Sequence, residues 1–116
     1  SIYWTLKFLY RRYRLPIIIT ENGMANNDSI TDGEVMDDVR IDFMNDYLSN
    51  VRRAIDDGVK VFGYQHWSLM DNFEWAEGYE PRFGLIYVDY KTLKRTPKNS
   101  AYYYKKIIET NGEIIP

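Results

Sequence analysis

Two short apolar segments without polar–apolar alternation constrain the fold of this chain most strongly. Residues 17–20 read Ile-Ile-Ile-Thr, and residues 59–67 are again largely apolar. Strands that are buried on both faces, as in parallel sheets, have this uniform pattern, whereas half-exposed strands alternate. We therefore predict two parallel strands, one over residues 17–20 and one within residues 59–67.

Helical patterns precede and separate these strands. The first covers residues 2–14, where apolar side chains recur at helical spacing. The second covers about residues 38–57, with Asp37 as its N-cap and Gly58 after its end. Its predicted buried stripe consists of Ile41, Met44, Leu48, Val51 and Ile55.

A third helix is predicted at the end of the chain. Pro97 suits its first turn, with Thr96 as its cap, and the helix runs to about Thr110. A small hairpin is predicted before it, from residues 83–89 and 93–95.

Helices that alternate with buried strands indicate an α/β fold with right-handed crossovers. Because two strands do not form a sheet that can be covered on both faces, the chain reads as part of a larger α/β structure.

Composition excludes several classes of protein. The 116 residues suit one domain, hydrophobic residues make up 45% and aromatic residues 16%, and the net charge is −2. The charges are interspersed, so a nucleic-acid partner is not expected. No apolar stretch approaches the roughly 20 residues of a membrane span. The absence of cysteine excludes disulfides and thiolate metal sites, and it fits a cytoplasmic compartment.

Both predicted strands end in side chains that suit chemistry. Glu21 follows the first strand, and Trp67 lies at the end of the second, which leads to Asp71, Asn72, Glu74 and Trp75. In α/β folds, ligands bind at the carboxyl ends of the strands, so one shared pocket is expected. Taken alone, Glu21 followed by Asn-Gly reads equally as the start of a turn.

Other polar residues are expected to be structural. His66, the single histidine, is interpreted as a packed or hydrogen-bonded residue. The glycosylation-like triplet Asn27-Asp28-Ser29 is interpreted as a chance match. The acidic residues and the histidine form no metal-ligand pattern, and no metal is predicted.

Longer motifs give a more specific indication. The segment WSLMDNFEWAEGYEPRFGLIYVD, residues 67–89, together with ITENG at residues 19–23, resembles the retaining β-glycosidases of glycoside hydrolase family one, the β-glucosidase family. The segments RIDFMNDYL, AIDDGV, GYQHWSL and TPKNSAYYY resemble further parts of that family's C-terminal region, in order and at similar spacing.

The resemblance implies a (β/α)₈ TIM barrel, of which residues 1–116 are the C-terminal segment of a single catalytic domain, with about two β/α units. The two predicted strands then correspond to strands seven and eight, whose C-terminal ends form the active-site face of such barrels. Glu21 resembles the family's nucleophile, which forms a covalent glycosyl-enzyme intermediate. No cofactor is implied.

The resemblance also implies a sugar pocket. Trp67 is similar to the family's stacking platform beneath the sugar, and a non-proline cis peptide bond is expected between Trp67 and Ser68. Glu74 resembles the residue that binds the sugar's 4- and 6-hydroxyls, Trp75 a donor near the 3-hydroxyl, and Phe83 part of the pocket wall. A carboxylate at Glu74 would repel a 6-phosphate, so the implied substrate is an unphosphorylated β-glucoside, β-fucoside or β-galactoside, or a short β-linked oligosaccharide.

One catalytic residue of the family has no counterpart in this chain. The acid/base glutamate of the family lies in an Asn-Glu-Pro segment that this chain does not contain. Three hypotheses follow: a C-terminal piece that works only with the rest of the barrel, a fragment that complements an N-terminal partner chain, or a non-catalytic carbohydrate-binding module. On each of the first two, the chain alone is expected to be inactive.

Overall fold

The computed structural model describes all 116 residues as three helices and four short strands. Helix α1 covers Ile2–Tyr13, strand β1 Ile17–Asn22, helix α2 Asp38–Asp56 and strand β2 Val61–His66. A single 3-10 turn follows at Trp75–Glu77. Strands β3, Ile86–Val88, and β4, Arg95–Pro97, precede helix α3, Asn99–Glu109. The predicted order of helices and strands is confirmed.

Strands β1 and β2 pair in parallel, as predicted, with Ile17 opposite Val61 and Ile19 opposite Tyr64. Strand β1 is longer than predicted and includes Glu21 and Asn22. Its register is irregular between Ile19 and Asn22, where Asn22 pairs with His66. The end of β1 is therefore a distorted strand and not the simple start of a turn.

Only one face of the parallel pair is covered. Ile19 packs with Tyr3, Leu6, Val51, Ala54 and Val59 in a buried cluster between the strands and helices α1 and α2. Ile18 and Phe62 stay exposed, Phe62 by 68%. The expected burial of both faces is thus wrong for this chain, because it contains no element that covers the second face.

Two predictions about the helices are wrong in detail. Ile55 is exposed, and Ala54 is fully buried in its place, because the face of α2 that meets α1 lies one residue earlier than the apolar pattern indicates. Pro97 ends strand β4 instead of starting α3, and Lys98 is the N-cap. Thr96 pairs with Tyr87 across the hairpin, so it is not available as a cap.

The hairpin and the last helix form the second half of the fold. Strands β3 and β4 are antiparallel, as predicted, although β4 begins two residues later than expected. Helix α3 packs on α2 through a second core cluster, of Met44, Leu85, Ile107 and Ile115. None of the three helices combines the length and apolarity that a membrane span requires.

Candidate active site

The end of strand β1 is held against Trp67 by its backbone. The Trp67 N–H donates to the Asn22 carbonyl oxygen at 2.7 Å. A Cβ atom at Gly23 would lie 1.7 Å from the Trp67 carbonyl oxygen, so only glycine permits this approach. Glu21, two residues earlier, is exposed at this end of the strand. The sequence Glu-Asn-Gly therefore brings a solvent-accessible carboxylate to the end of the strand that Trp67 follows.

The chain leaves Trp67 along a path that is parallel to the segment after Phe83. The Trp67–Ser68 peptide bond is cis, as the resemblance implied. The Ser68 N–H donates to the Phe83 carbonyl oxygen at 3.0 Å, and the Leu85 N–H donates to the Ser68 carbonyl oxygen at 2.9 Å. These bonds bring Trp67 and Phe83, two of the predicted sugar-contacting residues, into one region.

Asp71 fixes the loop that carries Glu74 and Trp75. Its carboxylate accepts hydrogen bonds from the backbone N–H of Gly84 at 3.0 Å and of Val88 at 3.3 Å. It also pairs with Arg82 at 2.7 Å. A Cβ atom at Gly84 would lie 2.2 Å from the Asp71 nitrogen, so this close contact requires glycine. The sequence singled out Asp71, but not the backbone groups that it binds.

Glu74 and Trp75 lie on a tight turn beyond Asp71. The Glu74 N–H donates to the Gly78 carbonyl oxygen at 2.7 Å, which closes the turn. Trp75 is 81% exposed and has φ +45°, a conformation that is rare for a bulky side chain and is typical of functional positions. No hydrogen bond joins either residue to Glu21.

A buried ion-pair cluster lies behind these loops and links them. We use the name charged cluster for Asp28, Asp37, Arg40, Asp71, Arg82 and Lys98. Lys98 Nζ lies 2.6 Å from Asp28 and 2.7 Å from Asp71, and Arg40 lies 2.8 Å from Asp28. All of these side chains except Arg82 are fully buried. The cluster ties the loop after β1 to the loop after β2.

The charged cluster was missed by sequence reasoning. Asp28 was interpreted as part of a chance glycosylation triplet. Asp37 was predicted to cap α2 with its side chain, and it does occupy the N-cap position, but its carboxylate pairs with Arg40 and accepts from the backbone N–H and hydroxyl of Ser100. Asp37 and Arg40 lie only three residues apart, but the other partners are distant in sequence, so local spacing does not indicate the cluster as a whole.

The cluster and burial set the charge state of its neighbours. Burial alone would raise the pKa of Asp28, but hydrogen bonds from Arg40 and Lys98 outweigh it and hold that pKa below its usual value. Burial, reinforced by the charge of Arg40, lowers the pKa of His66 to about 4. His66 packs near the Tyr104 ring, and neither of its nitrogens has a hydrogen bond of good geometry. Its structural interpretation thus holds for packing but not for hydrogen bonding.

The main cavity of the structure lies away from the candidate site, and no metal cluster is present there. This cavity, of about 680 Å³, lies between α1 and the end of α2. It is distant from the strand ends that carry Glu21 and Trp67, so it does not belong to the candidate site. No group of three or more His, Asp or Glu side chains could hold a metal ion. The backbone of the candidate site is held by the hydrogen bonds described above.

Comparison with known proteins identifies the family. Residues 1–113 match Glycosyl hydrolase family 1 over nearly the whole chain. The chain belongs to glycosyl hydrolase family 1. It is 50% identical over 114 residues to the 1,4-beta-D-glucan glucohydrolase of Thermotoga neapolitana, and 49% identical over 114 residues to Beta-glucosidase A of Thermotoga maritima. Each alignment covers 97% of this chain and 26% of the relative.

Solved family 1 structures have the same fold in this region. The family 1 β-glucosidase from Thermotoga maritima matches with a TM-score of 0.94 and 47% identity, over 96% of this chain and 26% of that one. The β-glucosidase of the same organism in complex with deoxynojirimycin also matches with a TM-score of 0.94, at 46% identity over 97% of this chain and 26% of that one. These neighbours are TIM barrels, and this family 1 chain is a partial piece of that fold. It spans about a quarter of the length of the relatives that it matches.

Proposed function

We propose that this chain is the C-terminal segment of a retaining β-glucosidase barrel and supplies its nucleophile. In this proposal β1 and β2 are strands seven and eight, and residues 1–116 belong to one catalytic domain. The observation that carries the proposal is the position of Glu21: an exposed carboxylate at a strand end, beside a glycine that admits the Trp67 backbone. Membership of family 1 and the β-glucosidase relatives support it.

The proposed chemistry is a double displacement. A Glu21 carboxylate oxygen forms a bond to the anomeric carbon while the bond from that carbon to the leaving oxygen breaks. A second carboxyl, from outside this chain, gives its proton to the leaving oxygen. It then takes a proton from the water that attacks the anomeric carbon and releases Glu21. The remainder of the barrel is therefore the partner that this chain requires, and the isolated chain is inactive.

The proposed pocket is built from Trp67, Glu74, Trp75 and Phe83. The Trp67 ring lies beneath the sugar, and the Glu74 carboxylate accepts hydrogen bonds from the 4- and 6-hydroxyls. The Trp75 indole N–H binds near the 3-hydroxyl, and Phe83 lines the wall. The high exposure and positive φ of Trp75 support a role outside the core. Because Glu74 is acidic, the substrate is an unphosphorylated β-glycoside, either a β-glucoside or a short β-linked oligosaccharide.

Two alternative functions remain for the chain. A complementing fragment would bind a separate N-terminal chain, and a carbohydrate-binding piece would bind sugar without catalysis. The exposed second face of β1 and β2, with Ile18 and Phe62, favours any arrangement in which more barrel covers it. A stand-alone binding module would leave this apolar face in water.

The test is a substitution of Glu21 in the complete barrel that contains this chain. We expect Glu21→Gln to lower the turnover of a chromogenic β-glucoside by about 10⁴-fold or more, because the amide is not a nucleophile. Glu77→Gln, a matched change of an exposed loop acid, should leave turnover unchanged. Normal turnover by Glu21→Gln would refute the assignment, and turnover by the isolated chain would refute the need for the remainder of the barrel.

A further inference from the structure

Glu21 lies in one of the two irregular parts of the β1–β2 register. The parallel register pairs Ile19 with Tyr64 and next pairs Asn22 with His66, with an irregularity between Ile19 and Asn22. Thr20 and Glu21 fall in this gap. The next paired residue after Ile19 is therefore Asn22, and the way Asn22 is fixed bears on the conformation of the adjacent Glu21.

Asn22 is fixed through both its main chain and its side chain. Its carbonyl oxygen accepts from the Trp67 N–H at 2.7 Å. Its side-chain Oδ1 accepts from the Tyr64 hydroxyl at 2.8 Å. Both donors belong to β2 or the residue that follows it, so two bonds hold Asn22 to the neighbouring strand. The side-chain bond adds a restraint that the backbone ladder does not provide.

Tyr64 is itself held firmly. Its ring lies between the rings of Tyr47 on α2 and Tyr104 on α3, with centroid distances of 6.1 Å and 6.3 Å. It also packs against the core cluster around Ile19. Burial raises the pKa of Tyr64, which favours the protonated hydroxyl that donates this bond. Aromatic rings on α2 and α3 thus fix the position of this donor.

We infer that Tyr64 is a positioning residue for Glu21, acting through its hydrogen bond to the Asn22 side chain; this inference rests on the proposed function of Glu21. By holding the residue that directly follows the nucleophile, Tyr64 restricts the backbone rotation that would move the carboxylate away from the anomeric carbon. Displacements of about 1 Å at a reacting group can lower rates by about 10²-fold. Tyr64 does not touch the substrate in this arrangement.

The chain offers a matched control for this inference. Tyr103 on α3 also donates its hydroxyl to an asparagine, the Oδ1 of Asn45 on α2. That bond lies in the helix layer and involves no residue of the candidate site. Tyr64→Phe and Tyr103→Phe therefore remove the same atom and the same type of bond, and only the first change affects Asn22.

The experiment measures how fast the complete barrel is labelled by an activated fluorosugar β-glucoside, which forms a slowly released ester with the nucleophile. Mass spectrometry identifies the labelled residue. We expect Tyr64→Phe to slow the labelling of Glu21 by about tenfold or more, with little change in KM, because a misplaced nucleophile affects the reacting state more than binding. Tyr103→Phe should be labelled at the wild-type rate. Asn22→Ala should be slowed as Tyr64→Phe is, and the double variant should be no slower than Asn22→Ala.

The possible outcomes distinguish a failure of the positioning role of Tyr64 from a failure of the nucleophile assignment of Glu21. Labelling of Glu21 at the wild-type rate in Tyr64→Phe would overturn the positioning role while leaving the nucleophile assignment intact. Equal slowing in Tyr64→Phe and Tyr103→Phe would also overturn it, since general loosening would then explain the effect. A label on a residue other than Glu21 would overturn the proposed function, and the positioning role with it. If Tyr64→Phe does not fold, a wild-type rate in Asn22→Ala overturns the inference in the same way.

Discussion

Lys98 donates to Asp71 across 2.7 Å, and neither side chain is exposed to solvent. The bond connects the N-cap of α3 to the loop that carries Glu74 and Trp75. Removing one partner of a buried ion pair leaves the other charge buried and unpaired. This lowers the stability of the fold far more than the loss of a surface ion pair does. The stability of the fold therefore depends on Lys98, although its place in the sequence gives no sign of this.

Lys98→Met should destabilise the complete protein by about 3 kcal/mol, because Asp28 and Asp71 lose a shared buried cation while keeping Arg40 and Arg82. Chemical denaturation of the variant and the wild type measures the difference. Lys105→Met provides the control, since its pair with Glu109 is exposed and 3.6 Å long. Equal stability of Lys98→Met and Lys105→Met would contradict the importance of the charged cluster.

Gly23→Ala should disrupt the candidate site through the backbone. The added Cβ atom would meet the Trp67 carbonyl oxygen at 1.7 Å, so the two strand ends must separate. We expect kcat/KM on a β-glucoside to fall by about 10²-fold, because Glu21 and Trp67 would be displaced from each other.

Gly63→Ala is the control for this substitution. Its Cβ atom would meet only the Ile18 side chain, at 2.9 and 3.0 Å, and no backbone atom. Activity near that of the wild type is expected for Gly63→Ala. A Gly23→Ala variant with unchanged kcat/KM would show that the contact between Gly23 and Trp67 does not matter for the site.

Glu74→Gln should change substrate selectivity more than folding. An amide accepts hydroxyl hydrogen bonds less well than a carboxylate, so kcat/KM on a β-glucoside should fall by about 10²-fold. On a β-xyloside, which has no 6-hydroxyl, the fall should be smaller. Steady-state kinetics on both substrates test this, and an equal fall on both would remove the proposed contact between Glu74 and the 6-hydroxyl.

His66 should make stability depend on pH in a definite direction. Its pKa is about 4 in the folded protein, against an ordinary value of 6.5. As the pH falls from 6.5 toward 4, the unfolded chain binds a proton that the folded protein excludes, so the free energy of unfolding falls.

His66→Gln should therefore lose this component of the pH dependence. Between pH 6.5 and about 4 the wild type should lose about 2 kcal/mol more stability than the variant. Denaturant titrations of both proteins across this range measure the difference, and the carboxylates that they share cancel in the comparison. Parallel curves would show that His66 titrates normally in the folded protein.

The parts of the fold that were predicted correctly are those with local signals. The uniform apolar runs predicted β1 and β2, and glycine after α2 predicted its end. The error at Ile55 and Ala54 arose because the neighbouring helix decides which face of α2 is buried, and that helix is far away in sequence. Pro97 suits a first helical turn and an edge strand equally well, so the pairing of Thr96 with Tyr87 decided its place.

The candidate site was predicted unevenly for a related reason. Glu21, Trp67 and Glu74 lie in contiguous motifs that resemble the family, so the sequence could propose roles for them, and these roles stay predictions. The residues that hold these side chains in place do not lie in such motifs. Lys98 reads as a surface lysine until Asp28 and Asp71 are placed beside it, and Tyr64 reads as one aromatic core residue among many until its hydroxyl meets Asn22.

The distance between Asp28 and Lys98 along the chain, 70 residues, has a consequence for assembly. Every proposed sugar-contacting residue lies between Glu21 and Phe83, yet the loops that present them are held by a lysine at the start of the last helix. Closing so long a loop is slow relative to local pairing. We therefore expect this link between the two loops to form late in folding, and a chain cut before Lys98 would keep all of its proposed sugar-contacting residues while losing the ion pairs that tie their loops together.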